Sequence, residues 1–298
     1  MAGVTIRDIA RKANVGVGTV SRVLNNSPSV SADTRQSVLN AIRDLDYTPS
    51  PVAQRLASGQ TRSVAVALPF LSYPAFVERL RGVQHALNHT AYQLVLYNVE
   101  TPAQRDNLFE ELTRPMRCDA VLVISIPLTE TIAANILSSN IPTVLADSFH
   151  PQMHCVLVDD FQGGIMAANH LLDLGHTRIT FLSDPLETAL GFTSMKNRRQ
   201  GYIHALQQRD ILPNPDYILE GGHDRQEAAR MIDHLMGLES PPTAIFAASD
   251  TLAIGVLGAA QNRISIPEDI SIIGFDDIPE ADYLDISTIA QPLYDTGI

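Results

Sequence analysis

Apolar positions along the chain follow two periods, and the change between them divides it. Up to about residue 60 they recur three and four apart. Ile6, Ile9, Ala10 and Ala13 line one face of a helix, with Arg7, Arg11 and Lys12 on the other. Thr5 and Asp8 have capping-box spacing, the Thr5 hydroxyl accepting a backbone N–H while Asp8 reaches back, so this helix starts at Ile6. Asn14-Val15-Gly16 supplies a tight turn. A second helix, from about Val17 to Asn25, buries Val20, Val23 and Leu24 and turns Val17, Gly18, Thr19, Ser21 and Arg22 outward. Ser31, with Asp33 and Thr34 behind it, opens a third, running to about Asp46, with Val38, Ala41, Ile42 and Leu45 inward. Tyr47-Thr48-Pro49 ends it, because the residue before a proline avoids helical dihedrals. Ser50 as cap, Pro51 at the first helical position and Gly59 past the end then punctuate a fourth helix. At roughly two turns it is too short to be stable alone in water.

From Ser63 onward the pattern becomes short apolar runs alternating with helical segments. The runs predict strands at Val64–Leu68, Gln93–Tyr97, Ala120–Ile124, Thr143–Ala146 and Val156–Val158. A second series follows at Ile179–Leu182, Tyr217–Leu219, Ala244–Ala247, Ile270–Gly274 and Thr288–Ala290. Helices lie between them, among them Ala75–Asn88 and Gly163–Leu174, the latter stopped by Gly175. Strand–helix alternation with continuous apolar strands implies parallel sheets covered on both faces, one sheet per series. The predicted fold is an α/β body of two doubly wound parallel-sheet subdomains, preceded by an all-α domain.

Two short helices joined by a tight turn and backed by a third are the layout of a helix-turn-helix. There the first residues of the second helix reach base edges in the major groove, and Arg22 can pair with guanine through two hydrogen bonds. The alternative is a helical hairpin whose outward residues are merely solvated. Charge is divided to match the first reading. Residues 1–60 carry a net +3 and the remainder −15, within an overall −12. A local basic face neutralises phosphates, while an acidic body discourages indiscriminate adhesion to nucleic acid.

In doubly wound sheets ligands bind beyond the carboxyl ends of the strands. Asp147, Asp159, Asp160, Ser249, Asp250, Asp276 and Asp277 follow predicted strands directly. An aspartate there either faces a ligand or caps the next helix, and for Asp159, Asp160, Asp250 and Asp277 both readings stand. Cys118 and Cys155, the only cysteines, lie in apolar strand-like contexts and read as free thiols rather than a disulfide or metal site. No phosphate-cradling glycine loop with lysine, histidine pair at zinc spacing or nucleophile elbow appears, so no enzyme, metal or cofactor is expected. No apolar run is long enough for a bilayer and no signal-peptide pattern opens the chain, so a cytoplasmic protein without membrane contact is expected.

Several motifs together resemble the lactose/galactose repressor family of bacterial transcriptional regulators. They are Thr5-Ile6-Arg7-Asp8-Ile9-Ala10, Thr19-Val20-Ser21-Arg22-Val23-Leu24-Asn25, Val30-Ser31, Thr34-Arg35, Tyr47-Thr48-Pro49 and Val52-Ala53-Gln54-Arg55-Leu56-Ala57. The resemblance implies contacts with double-stranded operator DNA from Thr5, Val17, Gly18, Thr19, Ser21, Arg22, Asn25, Ser31, Thr34, Tyr47, Ala53 and Leu56. It makes the fourth helix a hinge helix paired across a homodimer, with Leu56 wedged between base pairs of the minor groove, where it unstacks a step and kinks the duplex. Otherwise Leu56 packs on the neighbouring domain. Gly16 stands where the family usually has Ser or Thr, which removes a capping side chain. Val17-Gly18 also lacks hydrogen-bonding side chains, so base readout rests on Arg22, Thr19 and apolar contact from Val17.

For the body, the resemblance implies a pair of subdomains like the sugar-binding proteins of bacterial periplasms, around a small-molecule effector that is a sugar. It places Tyr73, Phe76, Asp147, Arg198, Ser249, Asp276 and Gln291 on the ligand. A mixed Asp/Arg lining with flanking aromatics suits a neutral sugar, because carboxylates accept hydroxyl protons, guanidinium donates and rings cover C–H faces. Tyr73 and Phe76 can instead be dimer or core aromatics. Asp224 falls where the family commonly has an aromatic residue, and His223 beside it reads as a surface histidine. The expected organisation is a helix-turn-helix domain over 1–49, a hinge and linker over 50–61, one ligand-binding subdomain over 62–161 and 291–298, and the other over 162–290. The implied function is repression of a sugar-utilisation operon from a pseudo-palindromic site. Family members typically continue for a further helix and strand beyond Ile298, so the chain reads as shorter than its relatives. A free sugar-binding protein is the alternative class, and it would carry a signal sequence in place of the helix-turn-helix.

Overall fold

The computed structural model describes residues 4–25, 27–48, 59–222, 225–261 and 263–298, with the backbone alone at Arg225. The predicted helix over 51–58, including Ala53 and Leu56, lies outside the described residues, as do Pro49, Ser50, His223 and Asp224. The chain divides into two compact units, one ending at Thr61 and the other starting at Arg62.

The first unit contains α1 (Ile6–Lys12), α2 (Val17–Leu24) and α3 (Ala32–Asp44). Ile9, Val20, Val23 and Val38 are its buried centre, with Ile6, Leu24, Ile42, Leu45 and Tyr47 packed around them. Asp8 Oδ2 accepts both the Thr5 backbone N–H, at 2.9 Å, and the Thr5 hydroxyl, at 2.7 Å. Both halves of the expected box are present. The hydroxyl is turned onto the carboxylate, the stronger acceptor within range. Asn14 takes the left-handed conformation, φ 53°, that lets the chain turn between α1 and α2. Two helices end earlier than predicted: α2 stops at Leu24, and α3 at Asp44, where Asp46 turns left-handed at φ 47°.

The second unit is built on two five-stranded parallel sheets. The first comprises β1 (Ser63–Leu68), β2 (Gln93–Asn98), β3 (Ala120–Ile124), β4 (Thr143–Ala146) and β5 (His154–Val156), in the order β2-β1-β3-β4-β5. The second comprises β6 (Ile179–Ser183), β7 (Ile218–Glu220), β8 (Ala244–Ala247), β9 (Ser271–Asp276) and β10 (Ser287–Ala290), in the order β10-β9-β8-β6-β7. Taken from its own first strand, each sheet repeats the order 2-1-3-4-5. Each therefore reverses direction once, between β1 and β3 and between β6 and β8, the points at which such sheets open a crevice. The helices that matter to the cleft are α4 (Pro74–Leu87), α5 (Pro102–Leu112), α6 (Glu130–Ser139), α7 (Asp160–Asp173), α8 (Ser194–Gln207), α9 (Arg225–Met236) and α10 (Asp250–Ala260).

Central strands are largely buried, Val144 of β4 being the exception at more than a third exposed, and Phe181, Phe246 and Phe275 form an aromatic spine in the second sheet. The first sheet departs from burial on both faces. Its edge strands β2 and β5 leave Val95, Leu96 and Val156 more than a third exposed, because an edge strand has one neighbour only. The fifth strand lies two residues earlier than predicted, since Leu145 pairs with Cys155 and the chain has left the sheet by Leu157. Helix α7 starts three residues earlier than predicted, because the Asp159 carboxylate accepts the Gln162 N–H at 2.9 Å and caps it. Gly163 and Gly164 are consequently interior helical residues, where glycine costs about 1 kcal/mol each relative to alanine. Packing explains them. A Cβ on Gly164 would lie 2.3 Å from the Arg198 carbonyl oxygen, and one on Gly201 of α8 would lie 2.1 Å from the Phe161 carbonyl oxygen. The two helices therefore meet main chain to main chain. Cys118 is buried and Cys155 half-buried, both as free thiols.

Candidate functional site

Facing loops of the two sheets enclose a cavity of about 380 Å³. All seven sequence-predicted ligand residues, Tyr73, Phe76, Asp147, Arg198, Ser249, Asp276 and Gln291, line it. They come from both sheets. Asp147 follows β4, Tyr73 caps α4 and Phe76 lies in its first turn, Arg198 lies in α8, Ser249 caps α10, Asp276 ends β9, and Gln291 is the first residue beyond β10.

A continuous polar chain ties them together. Arg198 Nε donates to Asp160 Oδ1 at 2.8 Å, another guanidinium nitrogen donates to the Ala248 carbonyl, and its charged face lies 3.7 Å from the centre of the Phe275 ring. Arg198 Nη1 also lies 3.6 Å from Asp276. The Gln291 side-chain amide donates to Asp276 Oδ1, and its carbonyl accepts from Arg79 Nη2 at 3.0 Å. Arg79 Nη2 stands 3.4 Å from Asp147, whose Oδ2 accepts the Ser125 hydroxyl at 2.8 Å. The path Asp147–Arg79–Gln291–Asp276–Arg198–Asp160 thus joins the two halves of the body through side chains.

Burial sets the electrostatics. Asp276, only 5% exposed, is pushed up to about 7 by desolvation, against the opposing pull of the Arg198 and Arg79 charges. Asp160 is raised for the same reason, with Arg198 pulling the other way. Burial works against the Arg198 charge, but the carboxylates of Asp160 and Asp276 outweigh it and hold the guanidinium protonated. Asp250, the remaining buried acid, is raised by desolvation while it accepts the Thr288 hydroxyl at 2.6 Å and the Ile278 N–H at 3.0 Å. Its partners lie within its own half, so it braces the β9–β10 corner. Of the four aspartates with two readings, Asp159 caps a helix, Asp160 holds Arg198, Asp250 is internal and Asp277 is exposed.

The backbone at the strand ends is strained where the cavity forms. Phe70, Ser125, Asp147 and Asp276, all cavity-lining, have φ of 49°, 56°, 54° and 128°. Such conformations cost about 1–3 kcal/mol each in residues other than glycine and persist only where surroundings hold them.

Four lining residues of consequence have no sequence prediction: Phe70, Arg79, Ser125 and Phe192. Arg79 carried a readable signal. It interrupts the apolar face Phe76–Leu80–Val83 of α4, and a charge inside such a stripe needs buried partners. Its Nε is buried with no hydrogen-bond partner among the described residues. Phe70, Ser125 and Phe192 carry no such mark. Phe70 stacks on Tyr73 with ring centres 5.0 Å apart and meets Phe192 at 5.5 Å, so Tyr73 belongs to an aromatic cluster at the cavity rather than to a core.

In the first unit, Val17, Gly18, Arg22 and Asn25 present an exposed face of α2, with Thr19 and Ser21 half-buried at its margin. Thr5 and Ser31 stand at the N-termini of α1 and α3. Ser31 accepts the Thr34 N–H at 3.3 Å and donates its hydroxyl to Thr34 Oγ1 at 2.8 Å, while Tyr47 packs against the small core. Among the described residues, no helix is long and apolar enough to cross a membrane.

These two pieces match known proteins separately and together. Residues 5–50 match the model for bacterial regulatory proteins of the lacI family, and residues 168–297 match a periplasmic binding protein-like domain. Over 298 residues the chain is 32% identical to the HTH-type transcriptional repressor CytR of Escherichia coli strain K12, covering 98% of this chain and 86% of that protein. The solved structure of the Lac repressor dimer bound to operator and the anti-inducer ONPF superposes with a TM-score of 0.84 at 26% identity, over 99% of this chain and 90% of that one. The transcriptional regulator CelR in complex with cellobiose gives 0.69 at 26% identity, with the same coverage. With a helix-turn-helix, two parallel-sheet subdomains and a repressor relative along nearly its whole length, the chain belongs to the lacI family of bacterial transcription regulators.

Proposed function

We propose that this regulator is a repressor of a sugar-utilisation operon, binding a pseudo-palindromic operator as a homodimer and controlled by a sugar in the cleft. The observation that carries the reading is the convergence of seven side chains from both sheets on one cavity, with carboxylate, guanidinium, amide and aromatic groups side by side. Carboxylates accept hydroxyl protons, the guanidinium and amide donate, and rings cover the apolar faces of a pyranose or furanose. Tyr73, Phe76, Asp147, Arg198, Ser249, Asp276 and Gln291 are the assigned effector contacts. The relatives support a sugar and an operator, one being a cellobiose complex and another an operator-bound dimer.

On the DNA side, residues 1–49 form the reading domain. Arg22, Thr19 and Val17 address base edges; Thr5, Gly18, Ser21, Asn25, Ser31, Thr34 and Tyr47 complete the contact set, most of it to the phosphate backbone, which fixes register. Residues 50–61 connect this domain to the body, with Ala53 and Leu56 assigned to the minor groove. The subdomains are 62–161 with 291–298, and 162–290. Effector binding alters the angle between them, and a shift of a few kcal/mol in how two bodies pair suffices to change DNA affinity severalfold to a hundredfold. No enzymatic step and no cofactor enter this scheme, and the protein works in the cytoplasm.

The test is fluorescence anisotropy on duplexes selected from a random palindromic library at moderate salt, repeated with pentoses, hexoses and disaccharides. Selection of a palindrome, followed by release or tightening with one sugar, is the expected result. Palindrome binding indifferent to every sugar removes the sugar assignment. Sugar binding without any selected duplex removes the operator assignment.

A further inference from the structure

The loop between β6 and α8, residues 184–193, leaves the second sheet and ends its excursion in the core of the first half. Leu190 is 4% exposed and sits among Phe109, Ile126, Ile132 and Leu145. Phe192 packs against the same cluster and meets Phe70. The loop is ordered from within. At its base the Leu186 N–H donates to Glu220 Oε2 at 2.9 Å, and Thr188 Oγ1 accepts the N–H groups of Gly191 and Phe192 at 3.1 and 3.2 Å. Gly191, at φ +77°, makes a left-handed step between Leu190 and Phe192.

Beside the main cavity lies a second, of about 170 Å³, flanked by Leu128 and the largely exposed ring of Phe149. Four residues line both: Ser125, Asp147, Phe192 and Ser194. Ser125 and Asp147 are hydrogen-bonded to each other and sit on strained strand ends, so they are fixed. Phe192 is the one large apolar side chain in this shared wall, and it is carried on a loop. At about 380 Å³ the main cavity lies near the lower end of the 300–1,000 Å³ typical of ligand sites, and the annex alone falls below it.

We propose that Phe192, seated by Leu190, is a specificity-determining residue of the cleft: its ring closes the main cavity against the annex and limits the length of ligand accepted. This rests on the reading of the cleft as the effector site. Leu190 is a positioning residue, acting through Phe192 without touching ligand. A ligand of one ring fits with the partition shut, whereas one extended by a further unit requires the ring to move.

The test is calorimetric titration of the full chain, Phe192→Ala and Leu190→Ala with D-glucose, cellobiose and cellotriose. Circular dichroism melting identifies any variant that fails to fold. Phe192→Ala is expected to move the ratio of affinities at least tenfold toward the longer sugar, and Leu190→Ala to move it the same way by less. A parallel loss for all three sugars overturns the proposal, since that is what a merely structural residue gives. Binding of none of them by any form shows that the effector is not a glucoside of this series, and a second measurement then decides the partition. The chain contains no tryptophan, so Phe192→Trp installs a single reporter. Emission shielded from acrylamide that becomes quenchable when Leu190→Ala is added supports the seated ring. Equal quenching with and without Leu190 overturns it.

Discussion

Arg22 and Arg198 carry the same side chain in opposite circumstances. Arg22 stands on the exposed face of α2, in its last turn. Arg198 is 4% exposed, bonded to Asp160 and the Ala248 carbonyl, close to Asp276 and covered by Phe275. Readiness for the proposed partner comes in the first case from solvent exposure on a locally specified helix. In the second it comes from a prearranged network in which Arg198 is already bonded to Asp160 and the Ala248 carbonyl. The proposed reader, Arg22, is exposed and can be altered without harm to the fold. The proposed binder, Arg198, is buried and part of the fold.

The sharpest way to break this contrast is to remove both arginines in turn. Arg198→Ala leaves the Asp160 and Asp276 carboxylates buried without their cation, and breaking a buried pair in this way costs about 3–5 kcal/mol. Urea unfolding of the body should show that loss together with loss of effector response. If the midpoint is unchanged, the network is not structural.

Protonation gives a contrast of intermediate size. Because burial raises Asp276 to about 7, the folded body binds a proton that the unfolded chain releases near the ordinary carboxylate range. Its contribution is fully present below pH 4 and is lost as pH rises toward 7. Asp160 and Asp250 are raised also and act in the same direction. Asp8 is held low by the Thr5 hydroxyl, so in the helical unit its contribution is present at neutral pH and lost on acidification below 4. Thermal melts between pH 4 and 8 should therefore show the body weakening with rising pH, and Asp276→Asn should flatten that slope. A slope identical in the variant refutes the assignment to Asp276.

Arg22→Ala should have the smallest effect on the fold and a purely external one on function. A bidentate contact to guanine is worth about 1–3 kcal/mol of discrimination. Anisotropy with the selected operator and a scrambled duplex should show that loss for the operator, with the melting curve of the helical unit superimposable on the parent's. Equal weakening on both duplexes would make Arg22 a phosphate contact.

The same contrast explains what was readable in the sequence. The helix-turn-helix is specified by neighbours in the chain, Thr5 with Asp8, Ser31 with Thr34 and the spacing of Ile9, Val20 and Val38, so its elements were legible within two residues at either end. The strands were legible for the same reason, except β5, whose position is fixed by pairing with β4. In the cleft, polar residues that follow strands could be read from strand prediction. Arg79 could be read from a broken apolar stripe. Phe192 could not, because its place depends on Leu190 reaching a core assembled from residues 65–145.

The contact of α7 with α8 has one more consequence. With Gly164 against Arg198's own carbonyl and Gly201 against that of Phe161, backbone on backbone fixes how far apart the two helices stand, and with it the reach from Arg198 to Asp160. The charge pair is gauged by main chain, as a machinist's spacer sets a gap irrespective of what is clamped around it. Anyone retargeting the proposed effector site has to leave those two glycines alone.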